Sequence, residues 1–224
     1  MISIIIPSLN EEERLRSCLE AFKQNNDIPE IIIADGGSSD RTIEIAEGFQ
    51  DVKVVRAGKG RGLQMNAGAF SAKGDILLFL HADTLLQEGW SQAIEGALKD
   101  SAVVGGAFTF AINNPGKKYR MIEEWVKLRC LLFRLPYGDQ GIFVKRDIFK
   151  EIGGYKNIPL MEDVDLIERM KARGSIAILG TRVLTSERRW LKKGLLYTAA
   201  VNQLIMLLYR IGVSPHKLAK IYYR

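Results

Sequence analysis

Residues 2–10 read ISIIIPSLN, and residues 30–40 read EIIIADGGSSD. Each is a short run rich in β-branched side chains that ends in polar, turn-forming residues. Continuous apolar runs of this length suit strands buried on both faces. Between the two, Leu15, Cys18, Leu19 and Phe22 recur at i, i+3, i+4 and i+7, the spacing of one helical face. The alternation continues. Apolar runs at 52–56, 76–81 and 103–111 are separated by helical stretches, the first capped by Ser39 or Asp40, the others at 62–72 and 90–99. Five strand–helix alternations argue for an α/β fold: a mostly parallel sheet flanked by helices.

In such sheets ligands bind beyond the carboxyl ends of the strands, where strand order reverses. An active site should then show as unusual polar residues just after each strand. They stand there: Ser8, Asn10 and Glu11 after the first; Asp35, Gly36, Gly37 and Ser38 after the second; Arg61 after the third; His81 and Asp83 after the fourth. The topology is expected to bring these onto one edge.

Beyond Asn113 the pattern changes. A helix is expected at 119–132, a strand at 138–144, a helix capped by Asp147, and another helix at 161–173 that opens with acids and closes with Lys171 and Arg173. A final helix is expected at 195–211. No repeat, low-complexity segment or Pro-rich linker divides the chain, so a single domain is the simplest organisation.

Composition excludes several classes. Of 224 residues 47% are hydrophobic and 26% charged, which rules out wholesale disorder and a many-pass membrane protein. Two cysteines, Cys18 and Cys130, cannot staple a small scaffold, and with no recognisable secretory signal a cytoplasmic location is expected. The net charge is +6, and its distribution is uneven: residues 182–224 hold nine basic residues and one acidic. A phosphorylated substrate, an anionic membrane surface or nucleic acid would each suit that tail. No recognised nucleic-acid module is present, so nucleic acid is the least supported of the three.

Each candidate residue has chemistry to offer. Asp35 ends a buried strand before two glycines, and its carboxylate could accept from a base N–H or a ribose hydroxyl. Gly58, Gly60 and Gly62 bracket Lys59 and Arg61 in a basic loop that enters a helix, a plausible phosphate cradle without the Walker or dinucleotide spacing. Asp83 projects from a strand end, a natural ligand for Mg²⁺ or Mn²⁺. His81 could ligate, contact ribose or bond to backbone. Glu162 and Asp163 open a helix, where acids are ordinary, yet either could act as a general base. Asp139 and Gln140 in GDQG, and Arg189 with Trp190, are candidate acceptor contacts, since Trp stacks on sugar faces and Arg pairs bind anions.

Together these pieces resemble glycosyltransferase family 2, which has the Rossmann-like GT-A fold. The matching stretches are SIIIPSLNEEERL, IIIADGGSSDRT, GKGRGLQMNAGA, LFLHADT and MEDVDL, in order across roughly residues 2–173. LFLHADT and the late RRW are most similar to the selenodomain- or radical-SAM-associated subgroup. The resemblance implies an inverting transferase moving a sugar from a UDP- or GDP-sugar donor to an acceptor hydroxyl, assisted by Mg²⁺ or Mn²⁺. It implies that Pro7, Ser8, Asn10, Glu11, Asp35, Gly36, Arg61 and His81 border the nucleotide, that Asp83 holds the metal, and that Asp163 is the catalytic base with Glu162 beside it. It divides the single domain, 1–224, into a nucleotide-sugar-binding half (1–112), an acceptor-side half (113–190) and a basic helical tail (191–224).

One departure is clear: His81 stands where the family's Asp-x-Asp has its first Asp. The Gln-x-x-Arg-Trp of processive members is also missing as such, which favours single transfer. The acceptor is open, a lipid-linked one included, as is an oligomeric state. The C-terminal helix is amphipathic and flanked by cations, a candidate for peripheral contact with the inner face of a membrane. The His81 departure motivates an alternative, a non-catalytic nucleotide-binding protein. A sugar nucleotidyltransferase ranks lower, because PSLNEEE stands where its glycine-rich loop should follow the first strand.

Overall fold

A computed structural model describes residues 1–23, 29–187 and 194–223. In chain order the elements are β1 (Ile2–Ser8), α1 (Glu12–Lys23), β2 (Glu30–Asp35), α2 (Thr42–Glu47), β3 (Val52–Arg56), α3 (Arg61–Ser71), β4 (Ile76–Phe79), β5 (Thr84–Leu86), α4 (Trp90–Leu98) and β6 (Val103–Ile112). Then follow α5 (Lys117–Phe133), a 3₁₀ turn (Gly138–Gln140), β7 (Ile142–Lys145), α6 (Arg146–Glu151), α7 (Glu162–Lys171), β8 (Ser175–Thr185), α8 (Leu195–Arg210) and α9 (Pro215–Tyr222).

The strands form one eight-stranded sheet in the order β3-β2-β1-β4-β7-β6-β8-β5. β3, β2, β1 and β4 run parallel; β7 is antiparallel to both β4 and β6, β6 and β8 are parallel, and β5 returns antiparallel to β8. Burial on both faces explains the unalternating strands. In β1, Ile5 packs into the layer that includes α3, α6 and α7, while Ile4 and Ile6 pack into the layer that includes α1, α2 and α4. The same division places Ile32 against Ile31 and Ile33, and Leu77 against Leu78.

Four elements and one helix cap differ from the sequence-based expectation. β8 and β5 were not expected. β8 is only partly buried and slips register against β6 between Phe108 and Thr109, which blurs its periodicity. The segment expected to be strand from 138 forms a 3₁₀ turn first, and Gly141, at φ 63°, resets the direction before β7. The helix expected last is followed by α9, which starts with Ser214 at the cap and Pro215 at the first position. In α6, Asp147 is not the cap: Lys145 is, and Asp147 lies in the first turn.

The sheet closes tightly where β6 is threaded between β7 and β8. A Cβ on Gly106 would lie 2.1 Å from the Ala177 carbonyl oxygen, and one on Gly105 would lie 2.4 Å from that of Phe143. These glycines set strand spacing and have no direct part in the site.

Candidate active site

Strand order reverses at β1, whose neighbours are β2 on one side and β4 on the other. A cleft of about 790 Å³ opens beside the carboxyl ends of β1 and β4, lined by Pro7, Glu11, Arg61, Gln64, His81 and Asp83 among others. A smaller pocket of about 90 Å³ adjoins it, lined by Tyr137, Asp139, Glu162 and Asp163. Arg61, His81, Asn202 and Tyr222 line both. Residues 155 positions apart in sequence and more thus share one continuous site.

The loops after β1 and β2 are laced together. Asn10, in the left-handed region at φ 56°, accepts at Oδ1 from the Ser39 N–H at 2.9 Å and donates its own N–H to Ser38 Oγ at 3.0 Å. Glu11 N–H donates to Thr42 Oγ1 at 2.8 Å. Asp35 is 1% exposed, and its oxygens accept from the N–H groups of Gly37 and Ser38 and from Ser38 Oγ. Asp35 and Asn10 therefore hold the two loops in place. Neither lines the cleft.

Gln64 was not anticipated. Its Nε2 donates to the carbonyls of Ser8 at 2.7 Å and Ala34 at 3.0 Å, holding β1 and β2 at the fork. A Cβ on Gly36 would lie 2.9 Å from that Nε2. Gly36 therefore makes room for Gln64. Ser8 is likewise buried, and its hydroxyl faces the Ile6 carbonyl.

Arg61 opens α3 after Gly60, whose φ of 130° turns the chain into the helix. Its Nε lies 3.5 Å from Glu162 Oε1, with the Arg side chain 45% exposed and the Glu side chain 6%. Burial works against the Arg61 charge, but Glu162, Tyr223 and Asp163 outweigh it and the net shift is upward. For Glu162 burial dominates and pushes the carboxyl above its ordinary range. Arg61 opposes that shift and Asp163 adds to it.

A consequence follows for stability. A carboxyl whose folded pKa is raised favours the native state at low pH, and that contribution is lost as pH rises through the raised value. Glu162→Gln should therefore melt higher than wild type at neutral pH. The gap should close as pH falls into the ordinary carboxylate range, and melting curves across that window give the check. A gap of opposite sign, with the variant melting lower at neutral pH, would show that the Arg61 pair outweighs burial.

Asp163 is anchored at the start of α7. Oδ2 accepts from the Gly138 N–H at 2.7 Å, and Oδ1 from the Val164 N–H at 2.8 Å. A Cβ on Gly138 would lie 3.4 Å from Asp163 Oδ2 and 3.5 Å from His81 Nε2, so both side chains border this glycine. Asp139 reaches the small pocket, but Gln140 does not. Gln140 is 1% exposed, donates to the Phe108 carbonyl at 3.0 Å and accepts from Arg129 at 2.9 Å and the Tyr137 N–H at 3.2 Å. In this structure Gln140 braces the turn that carries Asp139, and its amide faces the protein and not the pocket. Arg189 and Trp190 lie outside the described residues.

Asp83 sits in the loop between β4 and β5 above the end of buried Cys18, whose thiol is pushed up to about 12 by burial first and the Asp83 charge second. Asp83 and His81, both half-buried, could offer a carboxylate oxygen and an imidazole nitrogen to a divalent cation. Among the described residues no three such groups gather at one point. That donor set fits an ion that draws its other ligands from phosphate and water. The far wall comes from the C-terminus: Tyr197, Thr198 and Asn202 of α8 and Tyr222 of α9 line the cleft.

The family model for glycosyl transferase family 2 matches residues 3–156. The chain belongs to this family. The match covers the loops after β1, β2 and β4 and stops short of Glu162 and Asp163, so those two acids stand on geometry. Among curated glycosyltransferase family relatives, the PGL/p-HBAD biosynthesis glycosyltransferase of Mycobacterium bovis is 33% identical over 69% of this chain and 63% of its own length. Glycosyltransferase AglE of Haloferax volcanii is 26% identical over 70% of this chain and 56% of its own. With a third relative matched over 46% of its length, the chain spans about half the length of the curated relatives it matches.

The GT-A fold is shared with solved glycosyl-transferring proteins of low sequence identity. Glucosyl-3-phosphoglycerate synthase of Mycobacterium tuberculosis, in complex with Mn²⁺, UDP and phosphoglyceric acid, superposes with TM-score 0.67 at 18% identity, over 95% of this chain and 79% of that one. The mannosyltransferase PcManGT of Pyrobaculum calidifontis, in complex with GDP-Man and Mn²⁺, gives TM-score 0.64 at 16% identity, over 82% and 56%.

Proposed function

We propose that this chain is an inverting glycosyltransferase that moves one sugar from a nucleotide-diphosphate donor to an acceptor hydroxyl. The observation that carries the reading is the continuity of the two pockets. The larger has room for a nucleotide beside Arg61 and Asp83, and the smaller offers Asp163 and Asp139 to an acceptor. The Mn²⁺ held with UDP or GDP-Man in the two solved relatives supports a divalent cation here.

Asp83, with His81 beside it, would hold that cation, which when bound supplies positive charge to the departing diphosphate. Arg61 adds a fixed cation at the junction of the pockets, where charge develops on the leaving group. Asp163 takes the acceptor proton, its orientation held by the Gly138 and Val164 N–H groups. Inversion requires the acceptor oxygen in line behind the anomeric carbon, and the side-by-side pockets offer that approach. The narrower likeness to the radical-SAM-associated subgroup belongs to the same proposal.

Thermal melts with UDP, GDP and their sugars, each with and without Mn²⁺, provide the test. A nucleoside diphosphate at a hundred times its Kd should stabilise the chain by about 2.7 kcal/mol. No stabilisation by any of them would end the proposal. Binding without transfer across a broad acceptor panel would instead favour a non-catalytic nucleotide-binding protein.

A further inference from the structure

Outside the cleft, α5 departs most from an ordinary surface helix. Its inner face buries Tyr119, Ile122 and Cys130, and a surface helix of that kind normally turns polar residues outward. Here the outer face carries Met121, Trp125, Leu128 and Leu132, exposed by 53, 63, 52 and 65%. At 3.6 residues per turn these four fall within about 60° of one another, a stripe running three turns. Exposed Leu131 and Phe133 widen it at the C-terminal end. There the Arg210 guanidinium of α8 lies 5.2 Å from the Phe133 ring, and exposed Leu207 and Ile211 flank that Arg in sequence. Two helices distant in sequence thus meet at one apolar region.

Charge identifies the partner. Lys117, Lys118, Lys127 and Arg134 are exposed along and just beyond α5, and Arg210 is exposed at its junction with α8. The one exposed acid of α5, Glu124, is paired with Lys127 at 3.6 Å. We propose that α5 and the C-terminal end of α8 form an interfacial surface that docks on an anionic lipid bilayer. Apolar residues would enter the headgroup boundary, Trp125 would sit at that boundary, and the cations would face lipid phosphates. Among the described residues no helix is long and apolar enough to cross a membrane, so this face lies on the bilayer. A second copy of the chain fits less well, because a two-fold contact would set the same cations against themselves. The surface does not depend on the transfer reading, since vesicle binding needs no donor.

Flotation of the whole chain with vesicles provides the test. The chain should float with phosphatidylcholine and phosphatidylglycerol in equal parts, stay behind with phosphatidylcholine alone, and release as salt is raised. Trp125→Ser, Leu128→Ser and Leu132→Ser together should weaken binding about tenfold or more while leaving melting temperature and nucleotide binding intact. Lys117→Glu, Lys118→Glu and Lys127→Glu, with the apolar stripe untouched, should do the same. The proposal is overturned by no flotation, by equal binding to neutral vesicles, or by triple variants that bind like wild type. A dimer in light scattering that the serine variant dissociates, without vesicle binding, would assign the face to a second copy.

Discussion

Asp163→Asn should lower turnover by roughly three orders of magnitude and leave donor binding within about twofold. The amide keeps the size of the carboxylate, and its oxygen can still accept from the Gly138 N–H, so the start of α7 and the 3₁₀ turn should hold. What is lost is the capacity to take the acceptor proton. Asp139 lines the same pocket, so Asp139→Asn serves as the parallel control. If Asp163→Asn retains wild-type turnover while Asp139→Asn abolishes it, the base is Asp139. If instead donor affinity falls and turnover at saturation does not, Asp163 positions the turn and transfers no proton.

The second large effect is expected at Asp83. Asp83→Ala should remove the dependence of nucleotide binding on Mn²⁺ and lower transfer about a hundredfold or more. Binding of nucleotide without metal should be little changed, because Arg61, Gly60 and the walls of the cleft remain. The readout is the difference between nucleotide affinity with and without Mn²⁺, which a general loss of stability would not erase selectively. His81→Ala in parallel measures what the imidazole adds at the position where the family's motif has a carboxylate. An Asp83→Ala protein whose affinity still rises with Mn²⁺ would remove Asp83 from the metal site.

Much of the fold was legible because its central strands are buried on both faces. Ile2–Ser8, Glu30–Asp35 and Ile76–Phe79 are continuous apolar runs, and each ends where polar residues begin. Helix faces were legible for the same reason: Leu15, Cys18, Leu19 and Phe22 are all buried. β8 and β5 were not, since a partly exposed strand with a register shift leaves no clean period. α9 carried a readable start in Ser214-Pro215, but at eight residues it is too short to show a clear apolar period.

For the site, position along the chain was legible and direction was not. Placing Arg61 and Asp83 near one sheet edge needed only the rule that strand ends carry ligands, whereas Asp163, in the first turn of a helix, was singled out by the family resemblance. Asp35 and Gln140 were assigned outward, yet their oxygens and amides turn into neighbouring backbone. A short polar side chain follows whichever buried N–H or C=O groups would otherwise lack a partner, and those depend on how the loops fold.

The order of apolar runs and the polar residues that punctuate them determined, by themselves, the α/β class, the parallel half of the sheet and the edge where the polar residues gather, because burial imposes its period on local sequence. Only the tertiary structure decided that Gln64 clamps the fork, that Gln140 braces the 3₁₀ turn, that α8 and α9 wall the cleft, and that α5 leaves an apolar stripe in water. Those outcomes turn on contacts between segments far apart in the chain, which no local pattern encodes.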